Sequence, residues 1–294
     1  MRRAFLLLLP FALVPGLACA LEPLSDSALA KIGGRDGMSF NLSNFAMAGN
    51  AVLRYHTPDG RGSIGIGNLS ASRSDNVDAP FADPYRLDVI SRGPGVDGRP
   101  GGISEIVNIA MPQNLLGREA WQFAFDFDVA DNGIVVNGGS VILKDLVYYG
   151  GGLQWSTPAT GDGLAFGMST RMEIGSLALQ PNGRGAAGEA MVLSNVRIGA
   201  ATEDGSVPVA PWRLADVSAQ AGIFNARTDE AGNSRLHIGI NWPEAGAAAA
   251  AGTLQIGNIS FHSDAGGTVA PNVDLGSSRI GSIQLQYLDI KFRP

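Results

Sequence analysis

Trp121-Gln-Phe123-Ala-Phe125-Asp-Phe127 is the stretch that decides the fold class. Four aromatic rings alternate with small or polar residues, and a period of two puts all four on one face of an extended strand. That face is expected to be the buried one. Turn-forming groups recur at short intervals on both sides: Pro58-Asp-Gly60, Asp131-Asn-Gly133, Gly150-Gly-Gly152, Pro181-Asn-Gly183, Glu203-Asp-Gly205, Ala231-Gly-Asn233 and Gly266-Gly267. Apolar segments lie between them, at 140–149, 190–198, 235–242 and 253–262. Strands so spaced, with no helices between them, predict a sandwich, barrel or solenoid and argue against a βαβ fold. The 40 glycines agree, since each would cost about 1 kcal/mol inside a helix.

A degenerate internal pattern sharpens this expectation. Ile64-Gly-Ile66-Gly67-Asn68-Leu69 resembles Leu254-Gln-Ile256-Gly257-Asn258-Ile259, Met172-Glu-Ile174-Gly175-Ser176-Leu177 and Ser278-Arg-Ile280-Gly281-Ser282-Ile283. In each, apolar residues alternate, skip three positions across a Gly-Asn or Gly-Ser pair, and alternate again. A strand that keeps one face buried through an odd skip needs a bulge or corner there, which glycine permits. Long strands bent at Gly67, Gly175, Gly257 and Gly281 follow. The fold class predicted is therefore all-β, a large antiparallel sandwich or flattened roll of long bent strands. The copies are irregularly spaced, which excludes a short-period solenoid.

The N-terminus departs from the β pattern. Arg2 and Arg3, the apolar run from Ala4 to Leu17 and the small-residue site Ala18-Cys19-Ala20 read as a secretory signal over residues 1–20. Gly16 stands where lipid attachment at Cys19 would favour leucine. With the signal removed the mature part has no cysteine, so its stability must come from packing and backbone pairing. One short helix is expected next, capped by Ser25 or Asp26, striped by Leu24, Ala28, Leu29 and Ile32, and stopped by Gly33-Gly34. Residues 21–294 are then read as a single all-β domain with a long surface loop at 75–102, rich in proline, glycine and aspartate. No later segment approaches the ~18 apolar residues of a membrane-spanning helix.

Charge limits the partners. The net charge is −6, and without Arg2 and Arg3 the count is 19 Lys and Arg against 27 Asp and Glu, or −8. No basic cluster offers a footprint for nucleic acid or for anionic lipid.

No catalytic constellation emerges. His56, His237 and His262 lie in no metal-ligand spacing and read as structural. Gly62-Ser63 and Gly167-Met-Ser169 are fragments of a nucleophile elbow without its strand–turn–helix setting. Gly93-Pro-Gly95-Val-Asp-Gly98 matches a dinucleotide fingerprint in form, but Arg99-Pro100-Gly101-Gly102 cannot start the helix that would face the phosphates. Two acidic clusters are candidates for Ca²⁺. In Asp126-Phe-Asp128-Val-Ala-Asp131-Asn-Gly133, Ala130 replaces the third oxygen ligand of an EF-hand, and Asp126 and Asp128 fall opposite the aromatic face. The second cluster is Asp75, Asp78 and Asp83. Ordinary solvent-facing carboxylates are the preferred reading of both, so no catalytic, cofactor or metal residue is assigned.

Two families share features with Leu24-Ser25-Asp26-Ser27-Ala28-Leu29-Ala30-Lys31-Ile32-Gly33-Gly34-Arg35-Asp36-Gly37. Double-glycine leaders of secreted peptides follow a similar pattern, but they begin a precursor and release a short product. From Leu21 to Phe40, and more loosely through the Ile-Gly-Asn/Ser-Leu/Ile copies, the chain resembles an uncharacterised family of Gram-negative exported β-rich proteins, some assigned to pilus systems (Fil-type). Arg35 stands where that family usually has Gln. The resemblance implies an envelope or cell-surface protein, non-enzymatic, structural or adhesive and pilus-associated. Its partners would be other envelope or pilus-system proteins, and its location the periplasm, outer-membrane surface or medium. The residues alone leave two alternatives open. One is an outer-membrane β-barrel, ending in 283–292. The other is a secreted carbohydrate-binding module or hydrolase using Trp155, Trp212 or Trp242.

Overall fold

The alternation at 121–127 does build a strand, and its hairpin partner follows at once. Asn132 and Gly133 both take positive φ, 48° and 83°, so Asp131 pairs with Ile134 across a two-residue turn. Such a turn matches the right-handed twist of the strands it joins. The computed structural model describes residues 37–42, 44–56, 61–75, 83–91, 105–115, 118–158, 161–185, 188–218, 220–228, 230, 232, 234–240, 251–263, 272–285 and 287–291. The signal segment, the helix expected at 24–34, Asp78 and Trp242 lie outside them.

Among the described residues sixteen strands form one antiparallel sheet. They are β1 (Met38–Phe40), β2 (Ala46–Gly49), β3 (Leu53–His56), β4 (Gly62–Arg73), β5 (Tyr85–Ser91), β6 (Glu105–Ala110), β7 (Trp121–Asp131), β8 (Ile134–Ser156), β9 (Leu164–Gln180), β10 (Ala190–Ala200), β11 (Trp212–Ala215), β12 (Gly222–Thr228), β13 (Ser234–Gly239), β14 (Gly252–His262), β15 (Val273–Ile283) and β16 (Tyr287–Lys291). The all-β antiparallel architecture is as the sequence predicted and is in keeping with a sandwich or roll. Among the described residues β1 and β15 end the main path without meeting, so the sheet is not closed into a barrel.

Two long strands hold its two halves together. The first part of β8 pairs with β7 and its last residues with β6. One end of β9 pairs with β10, the other with β11 and β12. Gly150-Gly-Gly152, read from sequence as a turn, lies inside β8. Gly150 and Gly151 have φ of 78° and 90°, and the register with β9 shifts between Tyr148 and Gly151. Glycine here turns the strand from one set of neighbours to the other without ending it. The segment 75–102 also differs from its reading as one long loop. Alternating Tyr85-Arg-Leu87-Asp-Val89 builds β5, which pairs with both β1 and β6.

The odd skips are the device that sets the faces. Trp121 stands opposite Leu146, Leu146 opposite Ile174, and Ile174 opposite Val196. The next apolar row is Phe123, Leu143, Leu177, Leu193 and Ile259, again in cross-strand register. Between these rows β8, β9, β10 and β14 each advance three residues while β7 and β15 advance two. Register is therefore continuous through the four inner strands, and one-residue shifts appear only at the borders with β7 and β15. Four strands insert their extra residue at the same place, and the sheet creases along that line.

The crease needs a close approach. Asp145 and Asn195 take φ of 57° and 52°. A Cβ on Gly175 would stand 2.8 Å from that of Asp145, and one on Gly257 would stand 2.9 Å from that of Asn195. The strain thus sits on the Asx residues, and the glycines make room for them. At Gly67 it is the next residue, Asn68, that takes positive φ, 49°, and at Gly281 the register with β14 shifts.

Trp121, Leu146, Ile174 and Val196 are 4–6% exposed and form the main core, with Leu254 and Ile256 packed against it. Burial does not extend to all four rings of the deciding strand: Phe123, Phe125 and Phe127 are half-buried. A second cluster places Trp212, Leu214, Ala215 and Ile240 against Ile198 and Ile283. Gly175→Ala is expected to cost about 1–3 kcal/mol in urea unfolding, because the new Cβ overpacks the crease. Gly185→Ala, with open space around it, should stay within about 0.5 kcal/mol. Equal stability of the two variants would show that the crease does not depend on that approach.

Candidate functional site

The crease assigns every residue of the inner strands to one of two faces. On the core side, beyond the Trp121 and Leu177 rows, comes a row of Phe125, Val141, Leu179, Met191, Phe261 and Val273 across six strands. Leu53, Ile66 and Phe127 follow, and then Tyr55, Ile64, Val129 and Val136. No charged residue occurs in these rows. Exposure grows along them, and Tyr55, Ile64, Val129 and Val136 are 49%, 51%, 45% and 60% exposed. An apolar hollow of about 420 Å³ opens at this side, lined by Leu179, Pro181, Glu189, Met191, Phe261 and His262 among others.

The charges are on the reverse. Arg54 Nη1 and Nη2 donate to the two oxygens of Asp128 at 2.6 and 2.7 Å, a bidentate pair. Asp126 accepts from Ser140 Oγ at 2.6 Å, Asn68 Nδ2 at 2.6 Å and Arg184 Nε at 2.9 Å. Arg184, from the turn after β9, also reaches Ser70 Oγ and the Asn68 carbonyl. Arg197 and Glu173 face each other at 3.7 Å. The hydrogen bond and charge of Arg54 hold the Asp128 carboxyl below its usual range. For Asp126, burial is the largest influence and works upward, but Ser140, Asn68 and Arg184 together outweigh it and the net shift is down. These carboxylates, one of the two Ca²⁺ candidates, are thus brought together with two arginines that the sequence could not assign to them. A cleft of about 320 Å³ lies beside them.

The other acidic cluster is divided. Asp75 takes two hydrogen bonds of 2.8 Å from Arg73. Asp83 accepts the backbone N–H groups of Gln113 and Asn114. Among the described residues no three His, Cys, Asp or Glu side chains converge as a metal site. The histidines are apart: His56 exposed on β3, His237 buried in β13, and His262 with Nδ1 2.6 Å from Asn272 Oδ1. Trp212 is buried, and its ring lies where a Cβ on Gly252 would go. Trp155 is half-buried in β8, opposite Val107 and Phe166.

One buried acid was missed in the sequence. Glu119 is 1% exposed, and neither carboxylate oxygen has a hydrogen bond of good geometry. Its backbone is fixed by Asn114, whose Oδ1 accepts the Glu119 N–H while its Nδ2 donates to the Tyr148 carbonyl. Burial pushes the Glu119 carboxyl up, against the smaller downward pull of Trp121, Tyr85 and Arg73. Tyr85 is raised too, first by burial and then by Glu119. The same corner anchors the chain before β2, with Phe40 stacked on Tyr85 at 5.5 Å and Phe45 edge-on to Trp121 at 6.0 Å. No local pattern in Arg118-Glu119-Ala120 marks this burial. A loop that turns back onto Tyr148 creates it.

A carboxyl raised by folding is neutral in both states at acid pH, and its burial penalty appears as pH rises through the native pKa. Glu119→Gln should therefore raise the melting temperature at pH 7–8, with the gain fading below about pH 4, where unfolded Glu is itself protonated. A variant less stable than the parent at pH 8 would mean that the charged form is well solvated. No family model, curated protein or solved structure matches the chain.

Proposed function

We propose that this chain is a non-enzymatic exported protein of the envelope or cell surface, acting through its sheet in a structural or adhesive role within a pilus system. The observation that carries the reading is the apolar sheet face. Four rows of uncharged side chains beyond the core are left half-exposed, and a contiguous patch of that kind marks a docking surface. The residues best equipped for chemistry point elsewhere. Asp126 and Asp128 are engaged by Arg184 and Arg54 on the reverse, where they tie β3, β4, β7, β8 and the turn after β9 together. Export rests on the leader from Arg2 to Ala20, and the pilus association on the resemblance over Leu21–Phe40. The partners in this reading are other envelope or pilus-system proteins.

Fractionation of the native cells, with mass spectrometry of the mature N-terminus and in-cell cross-linking, tests it. The chain should begin at Leu21, be found in the periplasm, at the outer-membrane surface or in the medium, and be cross-linked in a protein complex. Retention in the cytoplasm with the leader intact, or an envelope protein cross-linked to nothing, would overturn it.

A further inference from the structure

We infer that the occupant of the apolar face is a second copy of this chain, the two sheets stacking into a sandwich across a two-fold axis. The inference rests on the docking function above and names its partner. The first support is area. With strands ~4.8 Å apart and alternate residues ~6.8 Å apart along a strand, the eighteen residues in the rows from Phe123 to Val136 cover about 590 Å², roughly three quarters of one side of a standard interface. A stable interface buries ~800 Å² per partner. Sheet of that size lies at the top of the ~300–600 Å² range of the largest apolar patch on an ordinary monomer.

The second support is where the charges lie. A chain of net charge −6 meeting its own copy brings like charges together unless the meeting surface has none. The Leu177, Leu179 and Val129 rows contain none. Asp126, Asp128 and Glu173 stand on the reverse and are each paired with arginine. The same acidity disfavours anionic lipid as the occupant. A two-fold contact requires one patch to be complementary to itself. Flat rows of Phe, Leu, Val and Ile meet that condition, since two such faces pack ~10 Å apart with interdigitating side chains. The hollow between Leu179, Met191 and Phe261 gives the opposing side chains depth to enter, and Glu189, which also lines it, accepts a hydrogen bond from Asn182.

Sedimentation velocity of the exported protein, purified without detergent, tests the pairing from about 1 to about 100 µM. A concentration-dependent dimer is expected. Leu179→Lys, placing a charge in the middle rows of the contact, and Val136→Lys, placing one in its outermost row, should each raise the dissociation constant roughly tenfold or more. Lys144→Glu, at an exposed crease residue off this face, should leave it unchanged. If a lysine variant fails to fold, a single cysteine at Val136 keeps the question open to measurement, since its maleimide labelling should slow as the protein is concentrated. A monomer throughout this range would overturn the pairing. So would a dimer indifferent to both lysine variants, or a monomer that partitions into neutral phospholipid vesicles. A monomer that still cross-links to other envelope proteins would remove the second copy and leave the docking function standing. A dimer confined to the cytoplasm would do the reverse.

Discussion

The structure depends on one constraint: the apolar side chains of this sheet share one face, so apolar residues must return to that face after every irregularity. In β8, β9, β10 and β14 the apolar sequence skips three positions between the Trp121 and Leu177 rows. A skip in one strand would throw its remaining side chains onto the wrong face. Because all four strands skip together, hydrogen-bond register passes through intact, and the mismatch is displaced to β7 and β15. Asp145 and Asn195 absorb the left-handed backbone, as short polar side chains do at least cost. Gly175 and Gly257 vacate the space facing them.

From that constraint follows the segregation of chemistry. On the core side the rows from Leu177 to Val136 are apolar, and the ion pairs of Asp126, Asp128 and Glu173 collect on the other. These pairs span large sequence separations, Arg54 to Asp128 and Arg184 to Asp126, so they fasten the strand pairs around β4 and β7. Half-exposed pairs of this kind contribute little stability each. Their effect is to satisfy carboxylates that would otherwise repel one another. Around Trp121 two charged groups are buried: Arg73, which is bonded to Asp75, and Glu119, whose carboxyl burial pushes up.

The same segregation leaves the molecule with an incomplete layer. Domains bury the apolar face of a sheet against a second layer. Among the described residues, Leu42, Phe45 and the Trp212 cluster cover only the rows nearest Trp121 and Ile198. The gradient of exposure from Ile174 to Val136 is the physical basis for reading the sheet as a docking surface.

The sequence by itself determined the class of the fold, the inward side of the strand at 121–127, and the existence of irregularities at the Gly-Asn and Gly-Ser pairs. Those properties are local: side-chain period, turn chemistry and the conformational freedom of particular residues act over a few positions. The Asn132-Gly133 hairpin was legible for the same reason. Tertiary structure decided which strands share a crease, that Gly150-Gly151 bends β8 without ending it, that β5 arises within a proline-rich stretch, and that Arg54 and Arg184 take the two candidate carboxylates. It also decided that only Trp121, of the four rings that opened the reading, is fully covered. Alternation says which way a side chain points. What lies in front of it depends on segments tens of residues away, whose approach no local pattern encodes.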